Sequence, residues 1–161
     1  MSYYMNVDEI YQVGVEIERN GRAFYQAAAR ATLDAGVRDL CEQLANWETK
    51  HVELFEELRR KLPTEASGGG AFDPADEERQ YLKATADGHV FLKNKDVGEL
   101  VARCTSPAAL LDLAIQFEKD SVVFYSAMKQ LLPRAPGIEA LIDEELRHIG
   151  ILTLQKGKAG G

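Results

Sequence analysis

The chain has 161 residues, 45% of them hydrophobic, enough for one domain with a sizeable core. Its formal net charge of -7 and isoelectric point near 5.0 argue against nucleic acid or an anionic membrane as partner, because an acidic field repels both. The opening MSYYMNVDEI lacks the charged and apolar regions of a secretion signal, no apolar run is long enough to span a bilayer, and Cys41 and Cys104 form no C-x-x-C pair, so a cytoplasmic protein with two buried thiols is expected.

Asn6 followed by Glu9 is a helix-start signal, and apolar or small residues then recur with a 3.6-residue period, predicting helix A over about 7–32. After a break at Asp34 to Gly36, a second periodic run predicts helix B over about 36–62, stopped by Pro63. The segment 63–105 contains the flexible SGGG at Ser67 to Gly70 and is too long for a tight hairpin. It is expected to hold two short helices, one opened by Asp73-Pro74 and one by Asp96 with Glu99 as a capping pair. Ser106, an N-cap residue followed by Pro107, opens helix C over about 107–132. Pro136 opens helix D over about 136–155, with the tail KGKAGG expected to fray. No strand pattern competes. The expected fold is all-α: a four-helix bundle of two helical hairpins joined by a long crossover with short helices, a single domain over 1–161.

The two halves repeat. GVEIERNGRAFY, ending at Tyr25, matches LAIQFEKDSVVFY, ending at Tyr125, so that Glu18 falls on Glu118 and Phe24 on Phe124. Each half continues with E-x-x-H: Glu48 and His51 in ETKH, Glu145 and His148 in ELRH. Cys41, Leu44, Glu48, His51, Phe55 and Leu58 follow the alternating spacing of a buried seam, as do Ile138, Leu141, Glu145, His148 and Leu152. Helix A places Gly14, Glu18, Gly21, Tyr25 and Ala28 inward; helix C places Ala114, Glu118, Ser121, Tyr125 and Met128 inward, with small residues leaving room around each glutamate. Glu18 and Glu48 each lie about 15 residues from the A–B turn, which sets them level along the bundle axis, and the C–D turn does the same for Glu118 and Glu145.

Four carboxylates and two imidazoles therefore converge on one core layer whose seams contain no Lys or Arg. Unpaired, such carboxylates cost several kcal/mol each or take up protons, so a bound cation is expected. Two divalent ions balance four carboxylates, and an oxygen-rich set with two nitrogens favours iron or manganese, with zinc also compatible. One Glu from each of two helices plus Glu-x-x-His from each of the other two is the ligand pattern of di-metal carboxylate bundles. Tyr25 and Tyr125 are either core aromatics or hydrogen-bond donors to a carboxylate on the neighbouring helix. Glu144 is expected at the surface, the alternative being that it orients an opposing His ring. Trp47 is expected at a helix edge or subunit interface, and His89 is expected at the surface of the crossover.

These motifs resemble the rubrerythrin-like branch of the ferritin-like di-iron carboxylate superfamily, and the resemblance covers helices A to D. It implies Glu18, Glu48, His51, Glu118, Glu145 and His148 as ligands of two iron ions, with Glu48 and Glu145 bridging. It also implies an oxidoreductase in which Fe(II) reduces hydrogen peroxide or dioxygen, an external electron donor that resets the site, and a homodimer. Two features depart from that family. No C-x-x-C pair marks a rubredoxin-like module, and Ile115 and Ser121 stand where rubrerythrins carry an additional helix C glutamate. A ferroxidase that handles iron, and a non-enzymatic bundle whose metals only hold the helices together, are the alternative readings.

Overall fold

Helix α1 (Val7–Ala31) begins in a complete capping box: Asn6 Oδ1 accepts from the Glu9 backbone N–H at 2.9 Å, and Glu9 Oε2 accepts from the Asn6 N–H at 2.7 Å. A short connection reverses the chain into α2 (Ala35–Arg60), capped by Asp34, whose Oδ1 accepts from Val37 N–H at 2.9 Å. The crossover contributes α3 (Glu77–Gly88), α4 (Val90–Lys93) and α5 (Val97–Ala102), the last capped by Asp96, which accepts from Glu99 N–H. The second hairpin is α6 (Pro107–Leu131), capped by Ser106, and α7 (Ile138–Ala159). The computed structural model describes residues 5–63, 77–93 and 96–160, so the helix start expected at Asp73-Pro74 lies outside the described residues. Among the described residues there is no strand, and no helix is long and apolar enough to cross a membrane. The architecture is a ferritin-like four-helix bundle, two helical hairpins joined by a long crossover.

Two boundaries differ from the sequence expectation. Helix α7 starts at Ile138 rather than Pro136, because Gly137 takes a left-handed conformation (φ 85°) at the N-cap and spends Pro136 in the turn. A Cβ at Gly137 would also stand 2.9 Å from Leu54 Cδ1. At its far end α7 runs on to Ala159, through residues expected to fray; Lys156 and Lys158 suit the negative end of the helix dipole, and Lys156 Nζ reaches Asp112 Oδ1 on α6 at 2.5 Å.

All four predicted seams are buried. The crossover helices lie against α1 and α6. Asn20 on α1 donates to the Phe91 carbonyl at 3.1 Å, and Asp120 on α6 accepts from Val90 N–H at 3.0 Å, so α4 is tied to both helices. Phe91 then stacks on Phe117 at 4.6 Å and packs on Phe24 at 5.0 Å. His89 is fully buried in this layer, contrary to the surface position expected for it. Its Nδ1 accepts from Phe91 N–H at 3.2 Å, which leaves Nε2 as the donor to Ser121 Oγ at 3.1 Å; Ser121 in turn donates to the Phe117 carbonyl. Burial lowers its pKa to about 4, so the ring is neutral. Of the two free cysteines, Cys41 is buried and its thiol is pushed up to about 12, whereas Cys104 is only half-buried, at the end of the crossover where less packs against it.

Candidate metal centre

Each bundle helix delivers its share of the cluster at one level: Glu18 from α1, Glu48 and His51 from α2, Glu118 from α6, Glu145 and His148 from α7. The four carboxylates are wholly shielded from solvent and the two imidazoles 3% exposed. Donor atoms of Glu18, Glu48, His51 and Glu145 lie within 4.8 Å of one another, and so do those of Glu48, Glu118, Glu145 and His148. Glu48 and Glu145 belong to both groups.

The contacts within the cluster are those of groups arranged around something other than each other. His51 Nδ1 faces Glu18 Oε2 at 3.3 Å, Glu48 Oε2 at 3.4 Å and Glu145 Oε1 at 3.3 Å, although one ring nitrogen carries at most one proton. His148 Nδ1 faces Glu145 Oε2 at 3.0 Å and Glu118 Oε1 at 3.6 Å. Both oxygens of Glu48, one of Glu118 and one of Glu145 have no hydrogen-bond partner, the close approach of Glu48 to His51 being outside bonding geometry. No Lys or Arg is buried among the described residues. Burial, then the neighbouring carboxylates, pushes Glu48 and Glu118 well above the usual carboxylate range. Glu145 is held below it: burial opposes, but the facing His148 and His51 imidazoles outweigh burial. Burial likewise depresses both imidazoles, and the facing carboxylates overcome it, raising His51 strongly and His148 to about 9. Without a cation the cluster can only hold protons in its place. Orphaned buried oxygens, four carboxylates and two inward nitrogens fit a pair of divalent ions, and neither cysteine takes part.

The surroundings are exchanged between the hairpins. Tyr25 of the first donates to Glu118 Oε1 of the second at 2.5 Å, and Tyr125 of the second donates to Glu18 Oε1 of the first. Burial, followed by the carboxylate each one faces, keeps both phenols well above their ordinary pKa and therefore protonated. On α1 the two glycines expected to leave room, Gly14 and Gly21, are instead seats for aromatic rings. A Cβ at Gly14 would lie 2.7 Å from the Phe55 ring, and one at Gly21 would lie 2.4 Å from Phe117 Cζ. Phe55 also packs on Tyr125 and Phe117 on Tyr25, with ring centroids 5.4 and 6.0 Å apart.

Two neighbours of the imidazoles were not placed there by their seam position. Glu144, half-exposed, does orient a ring: its Oε2 lies 2.8 Å from His51 Nε2, across the helix pair. Trp47 lies parallel over His148, with centroids 4.7 Å apart and 7° between planes. Both precede the glutamate of an E-x-x-H motif, so comparing that single position across the repeat was the available signal.

No protein-family model matches this sequence, and no curated protein matches it significantly. Among solved structures, the chain is similar to a protein of Thermotoga maritima provisionally described as a ferritin-like diiron-carboxylate protein: 23% identity, TM-score 0.66, 97% of each chain covered. At that identity the likeness establishes the ferritin-like fold over nearly the whole chain, and the cluster within that fold suits a dinuclear metal centre.

Proposed function

We propose that this chain holds two iron ions between Glu18, Glu48, His51, Glu118, Glu145 and His148, with Glu48 and Glu145 bridging, and acts as an oxidoreductase toward hydrogen peroxide or dioxygen, reset by an external electron donor. The observation that carries the reading is the set of four wholly buried carboxylates, sharing two imidazoles, with no buried cation among the described residues and four oxygens unpartnered. Description of the Thermotoga neighbour as a diiron-carboxylate protein is consistent with it. Bound ferrous iron would supply one electron per ion, two in all, matching the two-electron reduction of hydrogen peroxide to water. The chain's own groups prepare for this. Tyr25 and Tyr125, kept protonated, fix Glu118 and Glu18 by donating to them; Phe55 and Phe117 exclude water; the half-exposed edge at Trp47 and Glu144 is the side open to a small oxidant. Ser121 is committed to His89 and to its own helix, so no oxygen ligand can be recruited from that position, which favours comparable reaction with both oxidants over a strong peroxide preference. A second copy of the chain is the proposed partner, seated on the exposed Leu146 and Leu154 of α7.

Anaerobic Fe(II) titration should give two ions per chain, and separate peroxide and air challenges should each oxidise the loaded protein. Glu145→Ala, which removes a group common to both ligand sets, should abolish binding of the pair while leaving the helical circular dichroism intact. Undiminished iron binding by Glu145→Ala would show the cluster to be something else; iron that binds but resists both oxidants would leave a purely structural role for the metals.

A further inference from the structure

Trp47 and Glu144 occupy the same place in the internal repeat, one residue before the shared glutamate of each hairpin, and each reaches across to the imidazole of the other hairpin. The first hairpin lays an indole on His148; the second presents a carboxylate to His51. Building on the dinuclear reading, we propose that the two metal positions are inequivalent, the His51 position binding a divalent ion more tightly and filling first, with Glu144 and Trp47 as the residues that set the order.

The inner ligand sets are balanced. Three carboxylates surround His51 (Glu18, Glu48, Glu145) and three surround His148 (Glu48, Glu118, Glu145). Each ring turns Nδ1 inward, so what meets its outer side decides how strongly that nitrogen donates. His51 Nε2 lies 2.8 Å from the Glu144 carboxylate, so its proton goes to a negatively charged acceptor; such a bond fixes the tautomer, raises the ring's basicity and adds a fourth negative charge to that position. Among the described residues no carboxylate meets the outer nitrogen of His148. Its ring is held by stacking on an indole, whose N–H only donates and whose charge is zero. Outer partners of this kind change metal affinity by about 10- to 100-fold, and the half-exposure of Glu144 places the effect at the lower end, about tenfold.

Two bound cations repel, so the second binds more weakly in any dinuclear site, and the comparison must be made on single ions. Co(II) titrated calorimetrically into His148→Ala measures the His51 position alone, and into His51→Ala the His148 position alone. The first should bind about tenfold more tightly. Adding Glu144→Gln should erase that advantage in His148→Ala and leave His51→Ala unchanged, while Trp47→Glu should strengthen binding in His51→Ala. Equal single-ion affinities, the reverse order, or a Glu144→Gln effect of equal size on both positions would overturn the proposal even with two ions bound by the parent. A parent that binds fewer than two Co(II) would instead sink the dinuclear reading and the ordering together. Circular dichroism of each variant guards against unfolding, and the conservative, half-exposed Glu144→Gln change carries the test even if Trp47→Glu disrupts packing.

Discussion

The α1/α6 side of the cluster and its α2/α7 side are built by opposite means. On the α1/α6 side, beneath the crossover, Phe24, Phe91, Phe117, Phe124, Tyr25 and Tyr125 are wholly buried, and the polar His89 and Ser121 among them are satisfied by hydrogen bonds. On the α2/α7 side the imidazoles stand just inside a thin rim made of the half-buried Trp47 and Glu144. The proposed function asks for fixed ligand carboxylates and for access by a small oxidant, and separating the two kinds of wall by helix pair concentrates packing density where nothing has to move.

The widest gap between the sides is expected in stability. Phe117 touches the Tyr25, His89 and Phe91 rings, so Phe117→Ala should cost about 3–5 kcal/mol in urea denaturation. Trp47→Ala, on the rim, should cost less than about 2 kcal/mol. If the rim residue proves as costly as the core residue, the division into a dense wall and a thin one is wrong.

Acid should attack the closed side through His89. Its folded value of about 4 lies below the ordinary 6.5, so the unfolded chain takes up the proton first. The stability associated with the neutral ring is complete above about pH 6.5 and lost as the pH falls toward 4, a total of about 3 kcal/mol for that displacement. Denaturation of the metal-free protein at pH 7.5 and 4.5 should therefore show a smaller acid loss for His89→Asn than for the parent. Identical losses would mean that other groups govern the acid response.

The finest contrast is between two glycines. Gly21→Ala drives a methyl into Phe117 and should destabilise by about 1–3 kcal/mol, net of the helix propensity gained. Gly150, exposed on α7 with nothing within 4 Å of an added Cβ, should accept alanine with a gain of up to about 1 kcal/mol. Thermal melts of the two variants should move in opposite directions.

What could be read from the sequence follows the same division. The buried seams were legible because a 3.6-residue period marks them, and the internal repeat picked out six polar residues within those seams at matching depths. His89 was not legible: it sits between two short helices whose docking on α1 and α6 is set by Asn20, Asp120 and Phe117, residues of other elements. Trp47 and Glu144 stand at helix edges, where the partner depends on how far one helix pair lies from the other, a quantity no local pattern encodes. The glycines beside the glutamates signalled small volume correctly but not what fills it, because Phe55 and Phe117 come from neighbouring helices.

The exchange of phenols between hairpins bears on the order of folding. Each hairpin can form from contacts local in the chain, whereas the bonds from Tyr25 to Glu118 and from Tyr125 to Glu18 join residues 93 and 107 positions apart. Neither hairpin holds a finished half of the cluster, so its ligands assemble only as the two hairpins close on each other. A cation bound there would act as a latch on that late closing step, slowing the parting of the hairpins while leaving the rate at which each one forms untouched.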